Sequence, residues 1–232
     1  MLVAMASIFR LFALAFVVTL PLALMSCGKE RVAAPGIERA GERCDSFEMG
    51  PDGSGRIAAA GASFIPLDGF DAQSCLDDEG WLFIDYSAAH GNDHALVTRF
   101  GIMELEQATA DLVTSQNRVD MLWALAADSA LVDQADPRCL EFEAASSGLS
   151  IPGIDCATWE ERWLDIAVPG AEGEEWPMQV RSALCFDSSE PPVYLVWMSW
   201  SERHAPGVEG LSELEVEQQS FDFLTSLRFG ED

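Results

Sequence analysis

His90-Gly91-Asn92-Asp93-His94 places two imidazoles and a carboxylate in one short stretch, and a transition metal selects such donors. The spacing H-x-x-x-H puts both rings on one face only in a helix. The Gly91-Asn92 centre is instead a hairpin-turn signature. A solvated turn is therefore the plainer expectation, and His90, Asp93 and His94 stand as weak metal candidates. His204, in the SERHAPG stretch, reads as a surface-loop residue beyond a strand. Oxygen donors also cluster in Asp52-Gly53-Ser54-Gly55, Asp77-Asp78-Glu79-Gly80 and Glu172-Gly173-Glu174-Glu175. None has the alternating acidic loop with a distal Glu that a calcium loop uses. Solvated loops with low-affinity divalent-cation association are expected there.

Other chemistries find no pattern. The chain has no G-x-S-x-G, H-E-x-x-H, S-x-x-K or phosphate-cradling glycine loop. No catalytic residue and no cofactor is expected. The charge narrows the partners: 13 Lys and Arg stand against 39 Asp and Glu, a formal net of −26 over 232 residues. Nucleic-acid affinity comes mainly from neutralising phosphates with Lys and Arg, so that class is excluded. Apolar residues still make up 49 %, with seven Trp and 13 Phe, enough for a core.

The N-terminus carries an uncharged apolar run from Leu11 to Met25, preceded by Arg10 and interrupted by Pro21. That length suits the core of an export signal; a spanning helix needs about 20 apolar residues. The run exits through Leu24-Met25-Ser26-Cys27. This resembles the lipobox of bacterial lipoproteins: an aliphatic residue, a small residue directly before the Cys, then the Cys. The resemblance implies cleavage before Cys27, acylation of its thiol and amino group, and a membrane anchor. Gly28 follows where Asp would signal inner-membrane retention, so the outer membrane is favoured; periplasmic and outward-facing orientations both fit. Each buried methylene contributes roughly 0.8 kcal/mol, so several acyl chains make release negligible. The chain then divides into a signal peptide (1–26), a flexible tether (27–43) and one domain (44–232). From Cys44 onward it holds eight Arg, no Lys and 36 acidic residues, a net of −28. Self-repulsion of this size favours a monomer, and the partner class it suits is a basic protein or peptide.

An exported chain meets oxidising conditions. With Cys27 acylated, five cysteines remain, which allow two disulfides and one left over. Cys139–Cys156 is expected because it closes a short loop, and Cys44–Cys75 because it fastens the start of the domain. Each would stabilise by about 3 kcal/mol. Cys185 is then expected as a buried free thiol.

Two helices are expected. From Met103 to Ala127, Leu105, Ala108, Leu112, Ser115, Val119, Leu122 and Ala126 fall on one stripe. Ser212-Glu213-Leu214-Glu215 has capping-box form, and Leu214, Phe221 and Leu224 supply the apolar side of the helix behind it. Strands are expected at 61–66, 81–86, 95–100, 139–143, 159–168, 178–186 and 193–200, with a short one at 227–229. Trp197 and Trp200, three apart, should face opposite sides of their strand. Strands interrupted by few helices indicate an α+β fold, an antiparallel β-sheet packed by one long and one C-terminal helix.

Three segments carry a further resemblance: GASFIPLDGF, the meander PMQVRSALCF and VYLVWMSW, and the closing FLTSLRF. Over residues 58–229 they resemble the PsbP/DcrB-like α/β/α sandwich family, many of whose members are small non-enzymatic exported or accessory proteins. The resemblance implies a binding or structural accessory role in the envelope. A small-ligand or divalent-cation module is the second expectation. An envelope metalloenzyme built on His90, Asp93 and His94 is the third.

Overall fold

Met178, Val180, Ser182, Leu184 and Phe186, all buried, alternate with half-buried Gln179 and Arg181 and buried Ala183 and Cys185 on the two faces of one large sheet. The computed structural model describes residues 37–40, 42–45, 55–70, 72–78, 80–89 and 91–230. The Leu24–Cys27 motif and His90 lie outside these residues.

In chain order the elements are β1 (Ile37–Ala40), α1 (Glu42–Asp45), β2 (Ile57–Ala59), β3 (Ala62–Phe64), β4 (Ala72–Asp78), β5 (Trp81–Ala89) and β6 (His94–Glu104). Then follow α2 (Gln107–Ala110), α3 (Arg118–Ala135), β7 (Cys139–Ser146), β8 (Cys156–Asp165), β9 (Trp176–Phe186), β10 (Tyr194–His204), α4 (Glu213–Leu224) and β11 (Arg228–Phe229). The large sheet runs β1-β4-β5-β6-β10-β9-β8-β7, and a small one runs β11-β3-β2. Among the described residues every pairing is antiparallel except β1 with β4. The fold is α+β, as the alternating strands imply.

Two clusters of apolar side chains hold the layers together. On one face Ile84, Phe100, Met198 and Trp200 meet Phe64 from the small sheet and Phe223 and Leu224 from α4. Phe64 stacks on Phe100 with ring centroids 4.6 Å apart. On the other face Trp81, Phe83, Trp159, Leu184 and Trp197 lie beneath Leu122 and Ala126 of α3. Trp197 and Trp200 are thus on opposite faces, and both are buried. Complete burial of a side chain such as Phe100 contributes roughly 2–3 kcal/mol. Gly101 is required on the α3 side: a Cβ there would stand 2.7 Å from the Phe83 ring, which lies across it.

The expected helix over 103–127 is corrected. Met103 and Glu104 finish β6, whose 11 residues pair with all of β10. Leu105 N–H then donates to Val193 O, α2 makes one turn, and the long helix begins only at Arg118. Its buried stripe is Arg118, Leu122, Ala126, Ser129 and Asp133, while Leu112 and Val119 of the expected stripe are exposed. The C-terminal helix starts where expected. Ser212 Oγ accepts from Glu215 N–H and Ser212 N–H donates to the Glu215 carboxylate. Its apolar side is also corrected: Val216, Phe223 and Leu224 are buried, whereas Leu214 and Phe221 point to solvent.

The end of the expected tether belongs to the fold. Ile37–Ala40 adds a parallel edge strand to β4. Arg43 forms a forked ion pair with Asp77, Nε to Oδ1 at 2.7 Å, and its guanidinium holds the Asp77 carboxyl below the usual carboxylate range. The neighbouring Cys44 is bridged to Cys75 on β4. The second described bridge is Cys156–Cys185, not Cys139–Cys156. The β-ladder explains the difference. Cys139 opposes Asp165 at one end of β8, and Cys156 begins the other end, roughly 30 Å away at 3.3 Å per residue. A disulfide needs Cα atoms within about 7 Å. Cys156 instead opposes Cys185 directly across β8–β9, so Cys185 is not a free thiol. Cys139 is buried beside Trp163, Met178 and Val180.

Candidate functional site

Of the three metal candidates, Asp93 lies exposed in the turn before β6. Its carbonyl accepts from Ala205 N–H at 2.7 Å, which ties the turn to the end of β10. His94 opens β6. The β6–β10 register sets it opposite His204, with Glu202 two residues before. His94 Nε2 lies 2.7 Å from Glu202 Oε1, and the two imidazole centroids are 6.2 Å apart.

Glu202 is 2 % exposed and fully engaged. Oε2 accepts from Gln179 Nε2 at 2.5 Å, and Oε1 also accepts from Leu211 N–H at 2.6 Å. Gly210 permits this closeness: a Cβ there would be 2.8 Å from the His204 ring and 3.1 Å from Glu202 Oε1. The cluster therefore clamps β6, β9, β10 and the β10–α4 connection together. Among the described residues no group of three or more His, Cys, Asp or Glu is arranged to hold a metal ion.

Glu202 and His204 form one end of a groove of about 530 Å³ between α4 and the outer strands β7–β9. Glu141 and Glu143 of β7, Arg162 of β8 and Arg181 of β9 also line it. Helix α4 covers β9 and β10 but not β7 and β8, which leaves this shelf open. The β7 edge is bulged between Leu140 and Glu143, with Glu141 at φ +54°, a device that discourages a further strand from pairing. A second groove of about 350 Å³ continues along α4, between Leu149, Leu214 and Phe221, and shares Arg181. What these grooves offer is carboxylates, two guanidinium groups and apolar side chains, a surface suited to binding.

A buried polar seam on the opposite face escaped the sequence reading. Trp159, Glu161, Trp163 and Asp165 share the face of β8 that α3 covers. Asp165 is fully buried, and its Oδ2 accepts from Arg203 at 3.0 Å. Burial pushes the Glu161 carboxyl up to about 7, against a smaller opposing pull from the Trp159 indole. That pull is weak because Glu161 Oε1 and Trp159 Nε1 each lack a hydrogen-bond partner. The signal was present in the sequence, because two acidic residues alternate in phase with two tryptophans.

No protein-family model and no curated protein matches the chain. Among the described residues no helix is long and apolar enough to cross a membrane.

Proposed function

We propose that the chain is an exported bacterial lipoprotein, acylated at Cys27 and held at the outer membrane, whose domain is a non-enzymatic binding or accessory module. The observation that carries this reading is the Cys156–Cys185 bridge between two neighbouring strands of the central sheet. Disulfides of this kind persist in oxidising compartments, and the Leu24–Cys27 motif supplies the matching export route. Engagement of His94 and Glu202 by each other and by backbone supports a structural part for the histidine cluster. The likeness to the PsbP/DcrB-like family belongs to the same proposal and implies an accessory role.

The test is intact-mass analysis of the protein extracted in detergent from its native membrane. The expected N-terminus is Cys27 with acyl chains, and Cys27→Ala should leave an unprocessed or soluble chain. A mature N-terminus upstream of Cys27, or a mapped disulfide that includes Cys27, would overturn the reading, because a thioether-linked lipid occupies that sulfur.

The second reading, a small-ligand or cation module, draws on the groove at Glu141 and Glu143. It requires a saturable thermal shift with calcium or magnesium that Glu141→Gln and Glu143→Gln remove together.

A further inference from the structure

Helix α4 has two apolar sides. At 100° per residue Val216, Ser220 and Phe223 form the side against the sheet. Leu214 and Phe221, seven residues apart, fall together on the opposite side, where they are 73 % and 50 % exposed. They stand about 10 Å apart along the axis. Leu149 and Gly148, from the β7–β8 connection, face them across the groove of about 350 Å³. Large apolar side chains concentrated beside a concave surface mark recognition sites. Glu213, Glu217 and Asp222 flank the two residues on α4 itself, and the guanidinium that lines this groove, Arg181, is ion-paired with Glu160 at 3.4 Å. In the larger groove the carboxylates Glu141, Glu143, Glu202 and Glu213 outnumber the guanidinium groups of Arg162 and Arg181, so its charge is also net negative.

We propose that this face of α4 and its groove dock an amphipathic, basic segment of another protein. Two apolar side chains of that segment would seat against Leu214, Phe221 and Leu149, and its Lys or Arg side chains would pair with Glu213, Glu217 and Asp222. The charge selects this occupant. A second copy of the chain would bring the same three carboxylates against themselves across a two-fold axis, and like charges in apposition disfavour association. An anionic lipid surface is repelled for the same reason. The proposal rests on the reading of the domain as a binding module. Lipidation plays no part in its test, so the two fail separately: an unmodified N-terminus on the native protein overturns the anchor, and absence of groove binding overturns the groove.

The experiment is fluorescence anisotropy with the mature chain and a labelled helical peptide made of Leu on one face and Lys on the other. Leu214→Asp and Phe221→Asp should each weaken binding by roughly tenfold or more. Leu131→Asp, the same change at an exposed site on α3 in the other layer, should not. Glu213→Lys with Glu217→Lys should weaken the Lys peptide and create affinity for a matching Leu/Glu peptide. All sites are exposed, so the variants should fold, and circular dichroism checks this. No loss in any Asp variant, or an equal gain in all three, would mean attraction by net charge alone and overturn the proposal; equal losses in all three would place the contact away from this face and overturn it too. So would a concentration-dependent dimer dispersed by Leu214→Asp. Binding to phosphatidylcholine vesicles that is lost in the same variant would assign the face to lipid and also overturn it.

Discussion

His94 and Glu202, 108 residues apart in the chain, meet at 2.7 Å because β6 and β10 pair along their whole length. Glu202 also receives Gln179 Nε2 and Leu211 N–H, so one buried carboxylate satisfies three donors on separate segments. Removing it strands those donors away from water. Glu202→Ala should lower stability by about 3 kcal/mol, and Glu202→Gln, which keeps the shape and one acceptor, by about 1 kcal/mol. Urea unfolding with an unchanged slope measures both. A loss under about 0.5 kcal/mol in the alanine variant would show that the cluster is not a clamp.

Arg118 begins α3 with 4 % exposure, and its head group reaches the β9–β10 connection. Nη1 donates to Asp187 O at 2.8 Å and Nη2 to Ser189 O at 2.6 Å. Asp187 in turn accepts from Val193 N–H and Tyr194 N–H. The helix start and the strand connection are thus fixed by one guanidinium. Arg118→Met should cost about 2–3 kcal/mol, and Arg118→Lys should recover little, because an ammonium lacks the planar fork. Hydrogen exchange at Val193 and Tyr194 should quicken in both variants. Unchanged exchange there would separate Arg118 from the connection.

The same residues show how far sequence patterns reach. Period-two alternation located β9 and split Trp197 from Trp200, because a strand's two faces follow from local geometry alone. The capping box located α4 because it is a hydrogen-bond pattern within four residues. Apolar spacing at 103–127 did not separate helix from strand. The length of β6 is set by its partner β10, which lies about a hundred residues later. On α4 the apolar pattern fits two sides, and only the neighbouring sheet decides which is inward. Glu202 and His204 joined His94 through a register that no local pattern encodes. The polar strand β4, with Cys75 inside it, carries no apolar alternation and is held by pairing with β5 and by its bridge to Cys44.

Disulfide mapping follows from that register. Proteolysis without reduction should release peptides joined at Cys44–Cys75 and at Cys156–Cys185. The bridges span 31 and 29 residues, for which chain entropy gives about 3–4 kcal/mol each. Cys156→Ala with Cys185→Ala should lower stability by that amount while far-ultraviolet circular dichroism is retained, since the β8–β9 ladder supplies its own hydrogen bonds. A Cys139–Cys156 peptide would contradict the β7–β8 pairing itself.

Glu161 makes the fold sensitive to pH in a defined direction. Its carboxyl is buried against Trp159 beneath α3, and burial raises it from an ordinary 4.5 to about 7. Asp165 and Arg203 share that face from the sheet, and Asp133 is buried on α3. Between 4.5 and about 7 the folded chain keeps a proton that the unfolded chain releases. Stability from this group is therefore full below that window, falls as pH rises through it, and is constant above it. At about 1.4 kcal/mol per pH unit the loss is about 3 kcal/mol. Glu161→Gln removes the ionisation but keeps the size. Relative to the native chain it should gain about 3 kcal/mol at pH 8 and almost nothing at pH 4. The whole-chain profile also contains the repulsion among 39 acidic residues, so the quantity to measure is the difference between the two chains at each pH. A difference independent of pH would show that Glu161 ionises as an ordinary carboxylate and that the space under α3 is open to water.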